Sequence, residues 1–189
     1  MYQICVSGAA KGDSVEAGHG LARESGIAIA KGGHALLTGA TNGIALEAAK
    51  AYKKAGGMMS VGISPASSKI EHVMKYRLPS RPYDIIIYTG MHYSGRDAFL
   101  VNSADAVISI GGRIGTLHEA TTAIESLTPI GFLQGAGGTG ELMHEILRLA
   151  ERETDDHIIF DDSPQKILDR LVTILDKEHR QYLKLYQAE

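Results

Sequence analysis

Gly111, Gly112 and Gly115, followed by Thr116 and Glu119, are the residues of this chain whose types and spacing are suited to chemistry. They come directly after a short apolar run, Ala106 to Ile110, so the segment reads as strand, glycine bend and first turn of a helix. A helix start offers unpaired backbone N–H groups and the positive end of a macrodipole, and glycines let an anion approach them closely. Thr116 can add a hydroxyl there. Glu119, one turn further on, shares a face with the helix start and looks back at the bend. The chemistry expected is a phosphate held beside a carboxylate.

The elements that must position this bend alternate along the chain. Ile4 to Val6 reads as a buried strand ending at Ser7-Gly8, and a helix from about Ser14 to Lys31 follows, with Asp13 placed to cap it and Gly32-Gly33 to stop it. Strand Ala35 to Thr38, the bend Gly39 to Gly43 and a helix to about Ala55 complete a βαβ unit, with Asn42 as a possible helix cap. Further strands are expected at Met58 to Ile63, Asp84 to Tyr88, Pro129 to Leu133 and His157 to Phe160. Ser67 to Tyr76 reads as a short helix, a helix follows Gly140, and another starts at Pro164. This alternation predicts a doubly wound, Rossmann-like parallel sheet with helices on both faces, as one α/β domain over residues 1–189. Runs such as IIIY and AVISI lack alternation, as strands buried on both faces do. Ligands of such sheets bind beyond the carboxyl ends of the strands, where Ser7-Gly8, Gly39 to Gly43, Thr89-Gly90 and Gly111 to Thr116 collect.

Composition narrows the classes. The 189 residues are 44% hydrophobic, enough for one sizeable core. A net charge of −3 gives no basic footprint for nucleic acid. The single cysteine, Cys5, excludes an internal disulfide and a cysteine metal cluster, and no histidine pair has metal-binding spacing. With no apolar run approaching roughly 18 residues, a soluble cytoplasmic protein is expected.

The central segment, RDAFLVNSADAVISIGGRIGTLHE, resembles the signature of the LONELY GUY (LOG) family, long mislabelled lysine decarboxylases. There an arginine-bearing helix precedes a strand and a P-G-G-x-G-T-x-x-E motif. Gly115, Thr116 and Glu119 match its second half; Gly111 falls on the proline, Gly112 on the first glycine, and Arg113 replaces the second. Arg96 matches the family arginine, with Asp97 in place of the lysine after it and Met91-His92 two residues further upstream. Ser7, Gly8, Gly39 and Gly43 match, more loosely, the family's glycine turns after the first two strands.

The resemblance implies hydrolysis of the N-glycosidic bond of a nucleoside 5′-monophosphate, releasing free base and ribose 5-phosphate. Glu119 and Arg96 would be the catalytic pair, and the bend with Thr116 would hold the phosphate. No metal or redox cofactor is called for. Some relatives resemble cofactor carriers, which gives the alternative of a carrier of a nucleotide or of the molybdenum cofactor without turnover; a nucleotide sensor or scaffold is a third class. LOG-type proteins are dimers, and Ala120, Ala123, Ile124, Leu127, Phe99 and Leu100 offer apolar residues for a homodimer or higher homo-oligomer.

Blander readings stand beside these. Glu119 could simply complement the helix dipole, and Arg96 could be a solvated residue or the partner of Asp97 or Asp105. Arg113 could clamp phosphate or block the pocket, and His92 could border it. Gly135 to Gly140 satisfies G-x-G-x-x-G between a strand and a helix, but late in the sheet for a dinucleotide site.

Overall fold

The computed structural model describes residues 1–152 and 154–186. Seven parallel strands, β1 (Gln3–Gly8), β2 (Ala35–Thr38), β3 (Ser60–Ser64), β4 (Ile85–Tyr88), β5 (Ala106–Ile110), β6 (Ile130–Leu133) and β7 (Ile158–Asp161), form one sheet in the order β4-β3-β2-β1-β5-β6-β7. Six α-helices are described: α1 (Asp13–Lys31), α2 (Ile44–Lys54), α3 (His92–Asn102), α4 (Ile114–Glu125), α5 (Met143–Leu149) and α6 (Pro164–Tyr186). A π-type turn (Glu71–Lys75) and a 3-10 turn (Gly138–Leu142) complete the order. The doubly wound parallel sheet expected from the sequence is therefore the architecture.

Side chains alternate across each strand, so the sheet feeds two cores. Ile4, Val6, Leu36, Ile108 and Ile110 meet α1, α2 and α6 on one face. Cys5, Leu37, Ile63, Val107, Ile130 and Phe132 meet α3, α4 and α5 on the other. Strand order reverses between β1 and β5, whose register pairs Ser7 with Ser109 and Gly8 with Ile110. The chain thus runs outward from the middle in both directions and leaves a crevice at the carboxyl ends of β1 and β5, where such sheets bind ligands.

Several local expectations are corrected. The helix starting near Ser14 begins at Asp13, with Gly12 as its cap residue at φ +101° and no side-chain capping bond, so Asp13 lies inside the first turn. Asn42 does not cap α2; Gly43 occupies that position, again without a side-chain bond. The run IIIY is not buried on both faces. β4 is the sheet edge, α3 packs chiefly on α4 and reaches the sheet at β3, and Ile85 and Ile87 are 49% and 41% exposed on the face they share with Val61 and Ile63. The apolar residues assigned to a dimer surface divide: Ala120, Ala123, Ile124 and Leu100 are buried within the chain, and only Phe99 and Leu127 are exposed.

Candidate functional site

The bend after β5 lies at the switch point. Gly111 and Gly112 have φ of +58° and +109°, a conformation that costs glycine little and other residues more. Gly112 also has no room for a side chain, because a Cβ would fall 2.4 Å from Thr116 Cβ. Arg113 is extended at the start of α4 and places no side-chain cap on it, and the first turn of α4 carries no acidic residue. Among the described residues, the first N–H groups of α4, at Ile114, Gly115 and Thr116, therefore lack the intrahelical and capping partners that quench most helix starts. Arg113 is exposed at this rim, and its Cδ comes near Gly12 of the β1–α1 loop.

Behind the bend, Arg96, Asp97 and Glu119 are 4%, 4% and 6% exposed. The Ser7 hydroxyl donates to Glu119 Oε2 in a short hydrogen bond, and Glu119 Oε1 lies 3.4 Å from Arg96 Nη1. Arg96 Nη2 lies 3.2 Å from Asp97 Oδ1, and Asp97 Oδ2 is 3.0 Å from His118 Nδ1 at the surface. The two central helices bring this cluster together: α3 supplies Arg96 and Asp97, and α4 supplies Glu119 and His118.

Three nearby observations bear on its electrostatics. Burial pushes the Glu119 carboxyl up to about 7; the Arg96 guanidinium opposes that rise, and the Asp97 carboxylate reinforces it. The Arg96–Glu119 contact is an ion pair by distance but is not aligned as a hydrogen bond. Nε and Nη1 of Arg96 are consequently buried donors without an acceptor among the described residues. Ser109 Oγ, beside Ser7 in the register, is a buried hydroxyl in the same condition.

Gly39 owes its identity to this cluster. A Cβ there would lie 1.7 Å from Arg96 Nη1, so the guanidinium packs directly on the β2–α2 backbone. Gly8 and Gly43 instead seat helix α2. A Cβ on Gly8 would strike Ile44, and one on Gly43 would lie 2.4 Å from Ala9 O. Gly115 has open space around it, so its contribution to an anion site would be its N–H.

The G-x-G-x-x-G run is spoken for by its own surroundings. Gly135 and Gly137 N–H groups donate to Glu141 Oε1, and those of Thr139 and Gly140 donate to the carbonyls of Gly112 and Gly111. Gly138, at φ +68°, passes so close that a Cβ would lie 2.3 Å from Gly112 O. This loop buttresses the bend, and four of its donors are already occupied. His92 stands at the start of α3 with its Nδ1 2.9 Å from Tyr76 Oη. Two surface grooves lie elsewhere, one between α1 and α2 along Arg23, Glu47 and Lys50, another beside His118 and Thr122.

The pairing of Arg96 with Asp97 read from the sequence holds, at 3.2 Å, but the further link from Asp97 to His118 was not foreseen, nor were Ser109 beside Ser7 and Tyr93, whose ring centroid is 5.9 Å from Arg96 Cζ. Ser109 did leave a signal, as the lone polar residue of an apolar central strand.

The SLOG cluster4 family model matches residues 1–168. The chain belongs to this family. Membership agrees with the LOG-like, Rossmann-type fold group to which the motif pointed. An uncharacterized protein of Archaeoglobus fulgidus is 35% identical to this SLOG cluster4 chain over 125 residues, covering 66% of this chain and 75% of its own length. Among solved structures, the Moco carrier protein of Chlamydomonas reinhardtii superposes with a TM-score of 0.75 at 26% identity, over 93% of this chain and 98% of that one. The molybdenum cofactor binding protein of Rippkaea orientalis gives a TM-score of 0.70 at 26% identity, over 92% and 95%. Among the described residues no helix is long and apolar enough to cross a membrane.

Proposed function

We propose that this chain holds a phosphorylated small molecule at the β1/β5 switch point and hydrolyses the N-glycosidic bond of a nucleoside 5′-monophosphate. The observation that carries the reading is the convergence of Ser7, Arg96 and Glu119 behind the uncapped start of α4. The phosphate would sit on the N–H groups of Ile114, Gly115 and Thr116, with Arg113 at its rim. The sugar would then lie over Glu119. As the C1′–N bond breaks, its electron pair leaves with the base, and the carboxylate stabilises the positive charge growing on the sugar. Water adds its oxygen to C1′ and gives up one proton, and the base takes up one. Glu119 is suited to this traffic because its carboxyl changes charge near neutrality. The reaction calls on no metal or redox cofactor and fits a cytoplasmic nucleotide pool.

A second reading, a carrier without turnover, is favoured by a specific observation. Both Glu119 oxygens are already engaged, by Ser7 and by Arg96, and little of the side chain reaches solvent. Two neighbours in fold are named for binding the molybdenum cofactor, whose phosphate would suit the same bend. One experiment separates the two. The protein is incubated with AMP, GMP, CMP and UMP, free base is followed by chromatography, and binding is followed by calorimetry. Release of base supports the hydrolase, binding without release supports the carrier, and neither base nor binding removes the phosphate site itself.

A further inference from the structure

Next to Arg96, on the solvent side, stands an aromatic group that the mechanism above does not use. Tyr93 is one turn ahead of Arg96 on α3, and its ring lies over the guanidinium, 5.9 Å from Cζ to the centroid. It is nevertheless 48% exposed. Tyr76 meets it edge to face with centroids 5.6 Å apart. The Tyr76 hydroxyl in turn bonds His92 Nδ1, and the His92 N–H donates to Pro65 O. Tyr76, itself held by His92, thus steadies the ring without covering it.

The order of groups along the crevice is informative. From the bend, the first turn of α4 leads to Glu119, Glu119 to Arg96 at 3.4 Å, and Arg96 to the Tyr93 ring. Arg96 itself is closed off from solvent, with Nη1 packed against Gly39, so the exposed Tyr93 ring is the part of this row that a ligand can reach. A molecule with phosphate at one end, a polar middle and a flat ring at the other follows the same sequence. We propose that Tyr93, braced by Tyr76 and His92, is a stacking wall for the planar heterocycle of a phosphorylated ligand. The wall makes the site selective for phosphates that carry a ring over sugar phosphates that lack one. This rests on the phosphate reading of the bend.

The test compares ribose 5-phosphate with a C-nucleoside 5′-monophosphate, whose ring is joined through carbon and resists hydrolysis. Both are titrated calorimetrically into the wild type, Tyr93→Ala and Tyr93→Phe. Stacking of one ring on an aromatic side chain predicts that the ring ligand binds about tenfold or more tightly than the sugar phosphate. Tyr93→Ala should lose that advantage, Tyr93→Phe should keep it, and the affinity for ribose 5-phosphate should be equal in all three. An unchanged ring advantage in Tyr93→Ala overturns the wall and leaves the phosphate site standing. Equal losses for both ligands in Tyr93→Ala also overturn it, since the ring would then act only by steadying Arg96. If neither ligand binds the wild type, the wall and the phosphate reading fall together.

Discussion

Replacing Glu119 by Gln should change how stability depends on pH, in a direction and amount set by the burial of this side chain. In the unfolded chain its carboxyl titrates at the ordinary 4.5, and in the fold burial pushes it up to about 7. Between those values the folded protein holds a proton that the unfolded chain has released, so wild-type stability falls as pH rises through the window. The contribution is fully present below 4.5 and is lost above about 7. That change in proton affinity corresponds to a stability difference on the order of 3 kcal/mol. Gln keeps an oxygen for the Ser7 hydroxyl, and Arg96 keeps Asp97, yet the amide does not titrate. The stability of the variant relative to wild type should therefore grow by about 3 kcal/mol between pH 4.5 and 8, as read by urea unfolding under circular dichroism. A difference that stays flat across that range refutes the reasoning. A difference that shrinks with pH would mean that Arg96 outweighs burial and keeps the carboxylate ionised in the fold.

Turnover and binding should separate in the same variant: Glu119→Gln should release no base from a nucleoside monophosphate while its affinity for the nucleotide, measured by calorimetry, changes little. Gly39→Ala should push the enclosed Arg96 guanidinium off Glu119, at a cost of about 1–3 kcal/mol in chemical denaturation and with loss of nucleotide affinity; an unshifted denaturation midpoint would show that the guanidinium swings aside freely. Arg113→Gly should weaken monophosphate binding about tenfold if the guanidinium clamps phosphate, whereas tighter binding would mark it as an obstacle. A homodimer through the face of α3 and β4 that exposes Phe99, Ile85 and Ile87 should scatter light as about 40 kDa, twice the chain's 20.2 kDa, and a persistent monomer would exclude it.

Which parts of this molecule were legible in its sequence follows from what each signal reports. Strands β2 and β5 lie at their expected bounds because a short apolar run that ends in a glycine bend has few other ways to be buried. IIIY carries the same signal, yet it lies at the sheet edge, because apolar composition does not report how far a covering helix extends. The helix starts at α1 and α2 were misassigned for a related reason. Asp13 and Asn42 have capping side chains, but Gly12 and Gly43 have the positive φ that the entry of each helix requires, and backbone geometry takes precedence. Glu119 could be placed from helical spacing alone. Asp97 could not, since its partner His118 is 21 residues away in sequence and meets it only when α3 and α4 pack together.

The same packing explains why the cluster is better read as a site than as part of the core. A carboxylate nine-tenths buried, titrating near neutrality, is a poor choice for stability when an apolar residue of similar volume would fill the space without penalty. Asp97 partly neutralises the guanidinium that would otherwise hold Glu119 ionised, which makes the arrangement costlier still. Two Arg96 donors and the Ser109 hydroxyl remain without acceptors beneath a bend whose own N–H groups are uncapped. Phosphate oxygens of a ligand would meet the uncapped N–H groups of the bend, with the buried charges directly behind them. Folding cost of this kind, concentrated at the switch point of the sheet, is the pattern left where a sequence sacrifices local stability for function.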